Sequence, residues 1–346
     1  MKDWLDTLGV LDRLHLPAPG AFGVDIFKEW YHFHLIDVEH HIDLIANISL
    51  KGDVSRAGAG QADLILLIHQ PDTGWLGGID SFDGAAAQPD PRFLSIRVAS
   101  SVSVTYTQRE YRLALRSRDD RLELSAALRP QTEPLLLWND TPLGRGSLNW
   151  LIAPDLEAEG TLRFSEHTVC FDHAIAYHDH NWGNWRWGDD FGWQWGFGTH
   201  APDAVQDRTT TVFDRTSDRG GAVSLEHTLA IWRRHHLAKV FTRKMLRCER
   251  DGRFAGPIPV RPGVARLIAQ GQVTTVPRVL RISARDGGDW LDLAYEIEAA
   301  LQIAVPNDFG FGLVGLNETV GRLAVRGELR GESVAYETRA AFEFLC

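Results

Sequence analysis

The sequence predicts an all-β protein: two successive antiparallel barrels or strongly curved sheets, preceded by one short helix. Short runs alternating apolar with polar residues recur through both halves, as half-buried antiparallel strands do. Clusters of Gly, Asp and Pro break these runs near residues 72–74, 88–91 and 119–120. Aromatic residues make up 10% of the chain, with 12 Trp and 16 Phe, residue types enriched in strands. No strand–helix alternation points to a parallel sheet, and barrel closure removes exposed edges.

The elements follow in order. Trp4, Leu5, Leu8, Leu11 and Leu14 recur every three to four residues ahead of Pro17 and Pro19, which predicts a short amphipathic helix. Strands are expected over 29–36, 41–50, 64–69, 93–98, 102–107, 111–116 and 122–128. The second half repeats the texture over 192–198, 209–213, 225–232, 279–283, 290–295, 322–325 and 340–344. Gly196-Phe-Gly198 and Gly310-Phe-Gly312 are read as turn or bulge glycines, since neither opens a helix that could cradle phosphate. The boundary is placed at Gly188-Asp189-Asp190, giving domains 1–188 and 189–346.

Composition narrows the function classes. At 346 residues, 44% hydrophobic and 24% charged, the chain is globular and long enough for two cores. A net charge of −10 argues against nucleic acid and anionic membrane surfaces as partners. Cys170, Cys248 and Cys346 have no metal-ligand spacing and form no even disulfide set. Asp3, Asp6 and Asp12 interrupt the amino terminus, so no signal peptide is expected there. No apolar run approaches the ~18 residues of a membrane span, so stable insertion is not expected and a cytoplasmic location is.

Chemistry concentrates in Tyr177-His178-Asp179-His180-Asn181-Trp182-Gly183, followed by Trp185, Trp187, Trp193 and Trp195. Ionisable groups among tryptophans suit a site that holds an apolar molecule against a proton donor. On an unbroken strand over 171–181, Phe171, His173, Ile175, Tyr177, Asp179 and Asn181 share one face. His178, His180 and Trp182 share the other. If the first face looks into a barrel, burial penalises the Asp179 carboxylate and makes a neutral acid available.

The motif resembles the Tyr-x-Asp-x-Asn-x-Gly signature of the carotenoid 1,2-hydratases (hydroxyneurosporene synthases) and their wider tandem lipocalin-like relatives, which include Diels–Alderase-like members. Glu29-Trp30-Tyr31, Gly192-Trp-Gln-Trp195 and the tail from Glu318 to Glu343-Phe344 resemble other parts of that family. The resemblance implies two lipocalin-like β-barrels, no metal, no redox cofactor and a hydrophobic small-molecule substrate. It also implies that Tyr177 and Asp179 belong to the site. The family's upstream His-x-Trp pair has its nearest equivalent in Asn149-Trp150. The His is absent, and His173 or a neighbouring histidine would have to replace it.

Hydration or cyclisation of an isoprenoid fits these residue types. Asp179 would protonate an alkene, with Tyr177 orienting it. Trp150, Tyr177 and Trp182 or Trp185 would face the cation, each contact worth about 2 kcal/mol when desolvated, and Trp30 on the first strand would bind substrate. Asn149, Asn181 and a histidine would bind substrate or water. Two rivals stand beside this: a pericyclase that shapes a polyene without proton transfer, and a carrier of hydrophobic ligands. A metal held by His32, His34, His178 and His180 is a weaker alternative, because these pairs are expected to avoid the Asp179 face. No Gly-x-Ser-x-Gly elbow supports a nucleophile.

Overall fold

An antiparallel meander builds the first half of the chain. In the computed structural model, residues 4–90, 92–119, 121–187, 191–202, 208–218, 224–265, 276–308 and 312–345 are described. The boundary expected at 188–190 lies outside them, as do Gly310, Phe311 and Cys346. The chain divides into two compact units, Met1–Trp185 and Arg186–Cys346.

In the first unit a 12-stranded sheet runs outward from the strand Phe27–Asp37. On one side lie Ile42–Gly52, Gly60–Gln70 and Gly74–Asp83; on the other lies His167–Asn184, then Gly146–Phe164. The edge strand Gly74–Asp83 curls back toward the far strands, where the Arg118 backbone N–H donates to Asp80 Oδ2 at 2.8 Å. The sheet is thus nearly closed. Leu64, Ile96, Leu124, Leu151 and Phe33 pack inside it as one core. The helix Trp4–Leu11 sends Leu8 into that core, and Leu14 follows, so the amino-terminal segment helps fill the interior.

The second unit repeats the plan with 10 strands, centred on Gly192–His200 beside Glu332–Leu345 and Leu313–Leu329. Phe213, Phe241, Leu291, Tyr295, Phe342 and Phe344 form its core. The architecture is all-β, as the alternating runs indicate. Among the described residues, no helix is long and apolar enough to cross a membrane.

Candidate functional site

The motif lies on the strand His167–Asn184, which is bound on both sides: by Phe27–Asp37 and by Gly146–Phe164. It is not evenly pleated. Ala174 faces Ala158 but Phe171 faces Gly160, so Asp172 and His173 together oppose Glu159 alone. His173 takes φ 58°, and the extra residue is a β-bulge. The bulge breaks the parity expected from an unbroken strand. Phe171 joins Ala174 and Ala176 in the core, with His178 and His180 on the same inward face. Tyr177, Asp179 and Asn181 point the other way, yet all three are buried. The face carrying Asp179 is therefore the outward face of the barrel wall, which corrects the expectation of a carboxyl inside it.

On that outward face the carboxyl is held at both oxygens. The Tyr177 hydroxyl donates to Asp179 Oδ2 at 2.9 Å, and Asn181 Nδ2 donates to Oδ1 at 2.8 Å. Register places His32 and Ile152 on either side of Asp179, and Trp30 and Trp150 on either side of Asn181. His34 stands beside Tyr177. Trp138 packs edge-on against Trp150 at 5.0 Å, and Trp185 against Trp30 at 4.9 Å. Burial first, then the neighbouring His34 and His178, hold His32 well below the ordinary imidazole value, which favours the neutral ring. A neutral imidazole opposite a carboxyl can accept a proton or orient water.

Three expected site residues are not brought to this cluster. The bulge turns His173 outward; its side chain is 74% exposed and pairs with Glu157 Oε1 at 3.2 Å. Trp182 lies on the inward face, stacked on His15 at 4.0 Å. Asn149 shares Trp182's register position and ties the hairpin, accepting from the Asp140 N–H at 2.7 Å and donating to the Trp182 carbonyl at 3.2 Å. His32 and His34, expected to avoid the Asp179 face, instead share it. Their i, i+2 spacing was the available signal, but only the pairing of two distant segments shows which face they take.

Inside the barrel the same strand carries a buried ionic network. His178 Nε2 and His180 Nδ1 contact the two oxygens of Asp12 at 3.0 and 2.9 Å. His180 Nε2 contacts Glu29 Oε1 at 2.9 Å, and the Tyr111 hydroxyl donates to Asp12 Oδ2 at 2.6 Å. Burial pushes Asp12 up, but the charges and hydrogen bonds of His178 and His180 outweigh it and hold the carboxyl below its ordinary value of 3.8. Burial pulls His180 down, and its hydrogen bonds to the Asp12 and Glu29 carboxylates reverse this and raise it above 6.5. Removing one member of such a pair costs about 3–5 kcal/mol.

A depressed carboxyl contributes stability above 3.8 that is lost as pH falls toward its folded value. A raised imidazole contributes fully below 6.5 and loses this as pH rises through its folded value. The network is strongest between pH 3.8 and 6.5. The difference in Tm between the wild type and His180→Gln is expected to be widest near about pH 6 and to narrow toward about pH 9. Thermal melts across that range check this; a difference that widens with alkali would contradict it.

The second unit has buried acids of its own. Glu318 and Glu343 are cross-strand partners, and the Trp193 indole N–H donates to Glu343. Burial raises Glu343 to about 7, against hydrogen bonds from Glu318, Trp193 and Trp195 that lower it. Among the described residues, no group of three or more His, Cys, Asp or Glu side chains is arranged to hold a metal ion.

No sequence profile of a known family matches the chain, and no curated protein matches it in sequence. Solved structures do match in fold. One is a protein provisionally named AttH from Nitrosomonas europaea, with a TM-score of 0.66 at 13% identity, covering 96% of this chain and 98% of that one. Kievitone hydratase from Nectria haematococca has a TM-score of 0.59 at 12% identity, covering 98% and 94%. CghA, solved with Sch210972, has a TM-score of 0.59 at 12% identity, covering 95% and 93%. At these identities the likeness establishes a tandem lipocalin-like fold.

Proposed function

We propose that the chain catalyses acid-initiated hydration or cyclisation of a hydrophobic isoprenoid or polyene, with Asp179 as proton donor. One observation carries this reading: a buried carboxyl gripped by Tyr177 and Asn181 on a face shared with Trp30, Trp150 and neutral His32. That a hydratase, kievitone hydratase, is built on the same fold supports it.

Both oxygens accept hydrogen bonds, Oδ1 from Asn181 Nδ2 and Oδ2 from the Tyr177 hydroxyl, and in the acid form Oδ2 carries the proton while Tyr177 still orients it. The alkene π pair takes that proton, forming a C–H bond as the O–H bond breaks. The positive charge falls on the more substituted carbon, and Asp179 becomes a carboxylate. The indoles of Trp30 and Trp150 offer electron-rich faces to the cation, each contact worth about 2 kcal/mol when desolvated. In hydration, water forms the C–O bond and His32 takes its surplus proton. In cyclisation, an internal π bond attacks and a C–H proton is lost instead. Transfer of that proton from His32 to Asp179 restores the starting state. The cycle balances without a redox partner.

Incubation with isoprenoid and polyene substrates in heavy water tests the reading. Deuterium is expected at the carbon that Asp179 protonates. Turnover without deuterium would replace the acid with a pericyclase that only shapes its substrate. Tight binding with no turnover would make the protein a carrier.

A further inference from the structure

We infer that Asp12 is a positioning residue of the candidate site, acting through His178 on His32. The inference rests on the reading of Asp179 and His32 as parts of one site. Asp12 follows the amino-terminal helix and lies on the inward side of the motif strand, fully buried. Its side-chain partners His178, His180 and Tyr111 all lie on the inward side. Its influence passes through hydrogen bonds: Asp12 Oδ2 to His178 Nε2 at 3.0 Å, and His178 Nδ1 to the His32 backbone carbonyl at 2.9 Å.

Both ring nitrogens of His178 face acceptors, a carboxylate on one side and a carbonyl on the other. Both bonds form only when both nitrogens carry hydrogen. An Asp12 carboxylate therefore fixes how His178 holds the first strand at the residue that stands opposite Asp179. Rings brace the arrangement, with His178 stacked on Phe33 at 4.2 Å and tilted against Tyr111 at 4.7 Å. After burial and His34, the proximity of His178 also discourages protonation of His32. The titratable groups facing Asp12 include His178, His180, Tyr31, Tyr111 and Tyr106. Those beside His32 include His34, Tyr177, Asp179 and His178.

Side-chain nitrogen NMR on the full chain tests this without a substrate. In the wild type the two acceptors call for hydrogen on His178 Nε2, toward Asp12, and on Nδ1, toward the His32 carbonyl, and His32 is expected to carry hydrogen on one ring nitrogen only. In Asp12→Asn, His178 should keep hydrogen on Nδ1 alone, and the His32 titration should move upward by about half a pH unit or more. Asp12→Glu should restore the wild-type pattern at least in part. An unchanged His32 titration in a folded Asp12→Asn protein overturns the inference. If that variant does not fold, wild-type His178 with a single ring N–H overturns it equally. Turnover reports separately: loss of the Asp179 chemistry with these NMR shifts intact would remove the proposed reaction and leave the Asp12–His32 coupling standing.

Discussion

Asp179→Asn is expected to lower turnover by about a hundred- to ten-thousand-fold while leaving ligand affinity within a few-fold. The amide keeps nearly the shape of the carboxyl, and its Oδ1 can still accept from Asn181 Nδ2. It has no acidic proton, so the C–H bond cannot form from it. The expected loss corresponds to about 3–5 kcal/mol of barrier, more than a single cation–π contact of about 2 kcal/mol supplies. Binding measured by titration and turnover measured on the same preparation separate the two effects. Glu343→Gln is the comparison, because Glu343 titrates near 7 in the second unit. A loss that follows Glu343→Gln and spares Asp179→Asn would move the acid to that unit. Substantial activity in both variants would favour pericyclic shaping.

The second large effect concerns stability. Gly183 closes the motif with φ 154°, and a Cβ added there would lie 2.2 Å from the Ser147 carbonyl oxygen and 3.2 Å from Leu148 Cα. Both contacts are backbone in the paired strand, so neither can swing aside as a side-chain tip would. Gly183→Ala is expected to destabilise the first unit by about 3 kcal/mol, lowering its Tm by about 6–12 °C. Gly78→Ala is the control, since nothing lies within 4 Å of its added Cβ. Calorimetry on the two variants checks the contrast. A Gly183→Ala transition within about 2 °C of the wild type would show that the strands separate easily there.

The sequence is most legible where one strand face meets solvent. Val102–Thr107 has the bounds its alternation predicts, and Glu110–Arg116 and Leu122–Pro130 extend theirs by at most two residues. Gly74–Asp83 was not anticipated, because three glycines hide its pattern. The motif strand defeats the same logic for two reasons. Its residues 174–181 are buried on both faces, so polarity does not mark which side is inward. The bulge at Asp172-His173 then inverts the parity of everything before it. Tyr177, Asp179 and Asn181 could be grouped because no bulge falls between them. Placing His32 opposite Asp179 required a pairing across almost 150 residues, which no local periodicity encodes. Asp12 escaped notice for a related reason: with Asp3 and Asp6 it counts in the sequence only as a charge against a signal peptide.

The seating of Asp12 between two interior imidazoles has a practical consequence for handling the protein. An amino-terminal tag that pulls this segment out of place, or a truncation that removes Asp12, would strip the counter-charge from the wall that carries the motif. Such a preparation could retain its β spectrum and still be inert, so carboxyl-terminal fusions are the safer way to produce material for assay.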